Sequence, residues 1–224
     1  RCIHSVEWWL AREATRLLVC SSYMRWEVTR LLGIGADKVD VVPNGVDLEV
    51  FRPVDRGDAR RSIGIADGNW LLSAGQLVPN KGHDAIIRAL VGLPGFRLLI
   101  AGDGPEEGAL RALATDAGVA DRVRFLGRVP PERMRLGYCA ADCLVLASSR
   151  EGMPNVVLEY MAAALPVVTT DLPGIREMVD DGESGFVVAV GDEAALDRSV
   201  RLLLTRPDVR RRMGCRGRQA LESG

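Results

Sequence analysis

Residues 143–162, Cys-Leu-Val-Leu-Ala-Ser-Ser-Arg-Glu-Gly-Met-Pro-Asn-Val-Val-Leu-Glu-Tyr-Met-Ala, read as a strand, a polar loop and a helix. The apolar run from Cys143 has no polar alternation, which is how a strand covered on both faces reads. The loop that follows contains Gly152, and Pro154 opens the helical pattern. Proline suits the first helical position because it lacks an N–H and its φ is preset. The amides of Asn155, Val156 and Val157 are then expected to be unpaired at the positive end of the helix dipole, where a phosphate binds. Two carboxylates flank that anion site, Glu151 in the loop and Glu159 in the first turns of the helix. Ionised Glu only accepts hydrogen bonds, so this pair fits a ligand that carries hydroxyls as well as phosphate, a sugar or ribose diol. Taken alone, the pair also fits plain scaffold, since Glu is favourable near any helix N-terminus.

Outward from this unit, apolar runs of similar length alternate with helical patterns. They are Leu17–Cys20, Val39–Val42, Trp70–Ala74, Arg97–Ala101, Val123–Leu126, Pro166–Thr169 and Gly185–Val188, with Cys143–Leu146 falling between Val123–Leu126 and Pro166–Thr169. Strands separated by helices imply parallel pairing through right-handed crossovers, so the fold class is α/β with a doubly wound, Rossmann-like parallel sheet. Pro-Asn-Gly-Val-Asp-Leu-Glu-Val-Phe-Arg-Pro, from Pro43, has two prolines and no period. It reads as a linker, placed at residues 43–55.

The 224 residues allow one large or two small domains with a sizeable core. A formal charge of −1 gives no global field toward nucleic acid or membrane, and no nucleic-acid partner is expected. The arginines at 206, 210, 211, 212, 216 and 218 read as a solvated helix face. Five cysteines without a paired CxxC, and only His4 and His83, offer no zinc site, and Cys139 and Cys143 read as core. Reduced thiols and the lack of a long apolar segment or signal peptide suit a cytoplasmic location. The chain opens at Arg1 rather than Met, and its ends read as those of a piece of a larger product.

A second chemistry-bearing loop, Ser-Ala-Gly-Gln-Leu-Val-Pro-Asn-Lys-Gly-His-Asp at residues 73–84, follows the first strand beyond the linker. Ligands of open parallel sheets bind outside the carboxyl ends of the strands, so this loop and the Glu151 loop belong to one edge. Lys81 can there offer a point positive charge to a diphosphate. Gly102, Gly104 and Gly108 invite a dinucleotide-binding reading, but the spacing is GxGxxxG and Pro105 and two glutamates stand where bare amides are needed. A tight strand-to-helix turn accounts for them better.

Six motifs in order now carry a resemblance. They are Pro-Asn-Gly-Val-Asp (43–47), Gly-x-Leu-x-x-x-Lys-Gly (75–82), Gly-Asp-Gly-Pro (102–105), Phe-Leu-Gly (125–127), Glu-x7-Glu (151–159) and Asp-Gly-x-x-Gly-Phe-Val-Val (181–188). The chain resembles the family 4 retaining glycosyltransferases of GT-B fold, glycosyl transferases group 1, from residue 37 to about residue 205. The resemblance implies transfer of a sugar from a nucleotide-diphosphate sugar to an acceptor hydroxyl with retention of configuration, in cell-envelope, exopolysaccharide or other glycan synthesis. It implies no cofactor and no metal. Residues 1–42 would be the tail of an N-terminal acceptor domain, residues 43–55 the linker and residues 56–224 the donor domain. The chain alone is expected to be inactive. The acceptor, whether glycan, lipid-linked or small molecule, and any peripheral contact with the inner face of the membrane, would belong to the missing part of the N-terminal domain.

By the same resemblance Glu151 and Lys81 carry the catalytic roles. Glu151 is similar to the glutamate that contacts donor-sugar hydroxyls, and Lys81 to the lysine that stabilises the leaving diphosphate. Glu159 resembles the residue that holds the ribose. Gly75 and Gln76 precede the lysine, the amides of Gly152, Met153, Pro154, Asn155, Val156 and Val157 (all but the proline's) would line sugar and phosphates, and the turn at Arg128 and Val129 would receive the base. One departure is Gln76, where the family usually has Arg, and a neutral amide cannot pair with diphosphate as guanidinium does. The family's glycine-rich acceptor loop and active-site histidine have no counterpart, and His4 stands too near the strand at Leu17 to supply one. Two other readings remain open: a nucleotide-sugar-binding module without turnover, and a GT-B sugar-nucleotide epimerase.

Overall fold

The computed structural model describes the backbone of residues 2–223 and their side chains except those of 2–7 and 131. The side chain of His4 lies outside the described residues. In chain order the elements are α1 (Cys2–Glu13), β1 (Leu17–Val19), α2 (Ser22–Leu32), β2 (Val39–Val41), α3 (Arg56–Ile63), β3 (Asn69–Ala74), α4 (His83–Val91) and β4 (Phe96–Ala101). There follow α5 (Glu107–Asp116), β5 (Val123–Gly127), α6 (Pro131–Ala140), β6 (Cys143–Leu146), α7 (Asn155–Ala162), β7 (Val167–Thr170), β8 (Gly185–Val188), α8 (Glu193–Thr205) and α9 (Pro207–Ser223).

All eight expected strands form, each within two residues of its apolar run. Strands β1 and β2 make a small parallel sheet, and β3 to β8 make a six-stranded parallel sheet in the order β5-β4-β3-β6-β7-β8. The physical reason is visible along β3 and β4. Leu71, Leu98 and Ile100 point into one core with Ile86, Leu90 and Leu203, while Leu72 and Leu99 point into the other with Tyr160 and Met161. Period-2 alternation with both faces apolar needs helices on both sides, and the chain supplies them. The central strands β6 and β7 are buried throughout.

From β3 the chain winds outward through β4 to β5, then returns to lay β6 on the other side of β3. The crevice beyond the carboxyl ends of β3 and β6 is therefore the topological switch point, the place where such sheets bind ligands. Residues 43–55 contain no helix or strand, and they are pinned to the larger sheet unit. Asn44 Nδ2 donates to the Met153 carbonyl at 3.0 Å and to Asn155 Oδ1 at 2.7 Å. The small N-terminal unit docks through its own helix: the Glu177 carboxylate accepts from the Ser22 and Tyr23 amides at 3.0 and 3.2 Å, complementing the start of α2.

At the opposite end of the sheet, Asp142 just before β6 is buried and meets Arg56 (2.5 Å), Arg60 (3.0 Å) and Arg210 (3.1 Å). Its Oδ2 also accepts from the Trp70 amide at 2.9 Å. The expected solvated arginine face is corrected here. Arg210 turns inward to Asp142, and Arg218 Nη1 donates to the Ala162 carbonyl at 2.6 Å, closing the C-terminal end of α7. Arg206, Arg211, Arg212 and Arg216 are exposed. Cys139 and Cys143 lie in the core as expected.

Candidate functional site

Four strand ends, β3, β4, β5 and β6, open onto one cavity of about 350 Å³. Ala74 and Gly75, Ala101 and Gly102, Arg128 and Val129, and Leu146 come from those ends, and Glu151, Pro154, Asn155, Val156 and Glu159 from the loop and helix after β6. Lys81 reaches in from the loop after β3, and Met134 and Tyr138 from α6.

Backbone contacts hold these loops to one another. The Ser149 amide donates to the Asn80 carbonyl at 2.9 Å, and Thr170 Oγ1 to the Ser148 carbonyl at 2.5 Å, so the loops after β3, β6 and β7 form one ledge. Gly82 is needed where the first two cross, because a Cβ there would stand 2.0 Å from the Ala147 carbonyl oxygen and its φ is +66°. Gly102, with φ +150°, answers the dinucleotide question. A Cβ on it would lie 1.9 Å from the Gly75 carbonyl oxygen, so this glycine permits close approach of two backbone loops. The Leu77 amide donates to the Asp103 carbonyl at 2.9 Å and the Glu106 amide to the Leu77 carbonyl at 3.1 Å, which zips the loops together. More than a tight turn, this stretch is a brace for the Lys81 loop.

Lys81 and Glu151 meet directly: Nζ lies 2.6 Å from Oε1, and Ser148 Oγ donates to the same oxygen at 2.8 Å. Only about a fifth of the lysine side chain and a tenth of the glutamate side chain are exposed, so the pair is largely removed from solvent. Glu159, on the second turn of α7, accepts a short hydrogen bond from the Tyr138 hydroxyl. Burial first, and the neighbouring Glu159 charge second, push the Tyr138 phenol well above its usual range, so it stays a donor. His83 sits behind the Lys81 loop with Nδ1 2.8 Å from Ser73 Oγ and Nε2 3.3 Å from the Gln76 carbonyl. Burial lowers its pKa below 6.5, with the Gln76 carbonyl opposing and the Lys81 charge adding to the shift.

Two details of the sequence reading change. Pro154 is the residue before the helix rather than its first member, with extended ψ of 113°, and α7 begins at Asn155. Its carbonyl then takes the Val157 amide at 3.0 Å, so that amide is paired. Asn155 and Val156 hold the first two positions of the helix, where no carbonyl four residues back lies within it. Of the expected donor-binding residues, Gly75, Lys81, Val129, Glu151, Pro154, Asn155, Val156 and Glu159 line the cavity. Gly152, Met153, Val157 and Gln76 do not appear in its wall. Val157 is buried in the core, Met153 packs beneath the loop with its sulfur 3.4 Å from the Asn44 amide, and the Gln76 residue is exposed. Tyr138 and Ser148 were missed. A tyrosine on a helix and a serine in a loop carry no spacing signal, and only their partners reveal them. Among the described residues no group of three or more His, Cys, Asp or Glu side chains gathers as a metal site.

The model of the glycosyl transferases group 1 family matches residues 55–220. The chain belongs to this family. A second model, glycosyltransferase family 4, matches residues 1–50. Among curated proteins the chain is similar to a D-inositol 3-phosphate glycosyltransferase of Nocardia farcinica, at 35% identity over 91% of this chain and 48% of the relative. It is likewise similar to glycogen synthase of Mycobacterium tuberculosis, at 36% identity over 100% of this chain and 53% of the relative. Among solved structures it superposes on sucrose-phosphate synthase from Thermosynechococcus elongatus with a TM-score of 0.90 and 27% identity, covering 98% of this chain and 56% of that one. A TM-score of 0.91 at 22% identity relates its fold to Anabaena HepE, solved in complex with UDP-glucose, over 98% of this chain and 62% of that one. The chain spans about half the length of the curated relatives it matches. No helix among the described residues is long and apolar enough to cross a membrane.

Proposed function

We propose that this chain is the donor half of a retaining glycosyltransferase that takes its sugar from a nucleotide-diphosphate sugar. The observation that carries the reading is the convergence of Lys81, Glu151, Glu159 and the start of α7 on one cavity at the switch point between β3 and β6. The diphosphate lies between Lys81 and the first amides of α7, where a cation and the helix dipole both favour it. Glu151 accepts from sugar hydroxyls and Glu159 from the ribose, each suited because a carboxylate only accepts. The base rests by Arg128 and Val129. As the sugar–phosphate bond breaks, negative charge grows on the leaving diphosphate, and Lys81 stabilises it. Attack by an acceptor hydroxyl on the face the diphosphate leaves forms the new glycosidic bond with configuration retained, and the hydroxyl's proton passes to the departing diphosphate oxygen.

Residues 1–42 serve as the end of an acceptor domain, 43–55 as the linker and 56–224 as the donor domain; family matches to 1–50 and 55–220 support the division. Sugar transfer to a glycan, lipid-linked or small-molecule acceptor, at a cytoplasmic site, suits relatives named for inositol-phosphate, glycogen and lipopolysaccharide-core glycosylation. The test is calorimetric titration of the chain with UDP, GDP and ADP, free and sugar-linked, in wild type, Lys81→Ala and Glu159→Ala. One nucleotide should bind, and both substitutions should weaken it. A well-folded chain that binds none of the six overturns the reading.

A further inference from the structure

Tyr138 stands on α6, twenty-one residues before Glu159, and the two meet across the cavity wall. Both line the cavity, yet the tyrosine is only 2% exposed. Its ring is fixed on two sides, edge-on to Tyr160 at 5.5 Å and 87°, and tilted against Phe51 of the linker at 5.9 Å and 48°. Among the described residues, its hydroxyl is the one hydrogen-bond donor to the Glu159 carboxylate. A glutamate's last torsion is broad and roughly two-fold, so a carboxylate at a cavity wall has no preferred plane of its own. A single donor on Oε2, delivered by a ring packed on two sides, sets that plane and leaves Oε1 and the second lone pair of Oε2 for the ligand.

We propose that Tyr138 is a positioning residue that holds the Glu159 carboxylate in the plane in which it accepts from both hydroxyls of a ribose. The inference rests on the reading of the cavity as a nucleotide-sugar site. The free protein meets the ordering cost of the carboxylate through the tyrosine, and pre-organisation of this kind appears as affinity. Phe51 belongs to the linker, so the wall behind Tyr138 also ties the ribose end of the site to the connection between the two units.

The experiment compares the affinities of UDP, GDP and ADP with those of their 2′-deoxyribose counterparts, by calorimetry, in wild type and Tyr138→Phe. Phenylalanine keeps the ring and its packing and removes only the hydroxyl. Wild type is expected to prefer the ribose form of the nucleotide it binds. In Tyr138→Phe the ribose form should weaken by about tenfold, the scale of one hydrogen bond to a charged group, while the 2′-deoxyribose form, which keeps only its 3′-hydroxyl for the carboxylate, weakens less, so that the ribose preference shrinks. A merely structural tyrosine would weaken both forms alike and leave the preference intact, which overturns the proposal. Phe51→Ala supplies a second variant that keeps the hydroxyl but frees the ring; it should lower the ribose preference part-way, and an unchanged preference counts against the positioning role. Wild type that binds no nucleoside diphosphate removes the site reading and this inference together. Wild type that binds with a preference indifferent to both variants removes this inference alone.

Discussion

Glu151→Gln should raise the affinity for free nucleoside diphosphate and leave that for the sugar-linked nucleotide nearly unchanged. In the structure Lys81 Nζ is held 2.6 Å from Glu151 Oε1, in a pair that is about four-fifths or more withdrawn from solvent. A diphosphate that engages Lys81 has to draw the cation away from this partner or share it. The glutamine variant is neutral and close to isosteric, and Ser148 Oγ can still donate to its carbonyl oxygen across the present 2.8 Å. Free nucleoside diphosphate, which has no sugar for Glu151 to contact, then meets a less committed lysine and loses a like-charge neighbour. With the pair worth about 1–2 kcal/mol in a partly screened setting, the gain is about five- to thirty-fold in affinity. The sugar-linked nucleotide loses an acceptor for its hydroxyls and should bind about five- to thirty-fold more weakly relative to the free diphosphate. Lys81→Ala, by contrast, should weaken both by about 10- to 150-fold, the range for a charge-assisted hydrogen bond of about 1.5–3 kcal/mol. Parallel calorimetric titrations of the three proteins with free and sugar-linked nucleotide decide the matter. Equal weakening of both ligands by Glu151→Gln would refute the idea that the ion pair competes with the diphosphate.

Three further predictions follow from the geometry. Gln76→Arg, at the exposed residue beside Gly75, should tighten nucleoside diphosphate binding by restoring a guanidinium, worth about 1.5–3 kcal/mol if it reaches the phosphates; unchanged or weaker affinity by calorimetry counts against that role. Asp142→Asn removes the buried carboxylate that Arg56, Arg60 and Arg210 share, leaving the exposed Asp67, 3.5 Å from Arg60, as a second partner for that arginine alone, so denaturant unfolding should show a loss of about 3–5 kcal/mol, and a loss below about 1 kcal/mol would show that the arginines find other partners. The folded state keeps His83 neutral by burial, so its pKa lies below the unfolded value of 6.5 and the unfolded chain binds more protons once the pH falls under that value. Its contribution to stability is therefore complete above pH 6.5 and is lost as the pH drops toward the depressed folded pKa. Unfolding free energies measured from pH 7.5 to 5.5 should fall more steeply in wild type than in His83→Asn, and equal slopes would assign the acid sensitivity elsewhere.

Short apolar runs without polar alternation sufficed to place every strand of both sheets, because a strand buried on two faces imposes that pattern locally. The loops after β3 and β6 were legible for a related reason. Lys81, Glu151 and Glu159 stand next to strand ends and glycines, and the rule that parallel sheets bind at their carboxyl edge brings them together without coordinates. Partnerships between residues far apart in the chain were beyond this reach. Nothing around Arg210 marks it as the buried partner of Asp142 while Arg211 and Arg212 remain in water, since helix phase relative to a distant carboxylate exists only after α9 has packed. Gly102 looked like a turn glycine and is a backbone crossing, visible only when the Gly75 carbonyl arrives beside it. Pro154 was placed one residue too far into the helix because its φ is equally suited to the residue before it, and ψ is decided by where the loop must go. Sequence by itself determined the elements and the edge where chemistry belongs, because those depend on local periodicity. The tertiary structure alone decided that Tyr138 meets Glu159 and that Lys81 is held by Glu151, because each contact joins side chains from different crossovers and forms only when the sheet order closes β6 against β3.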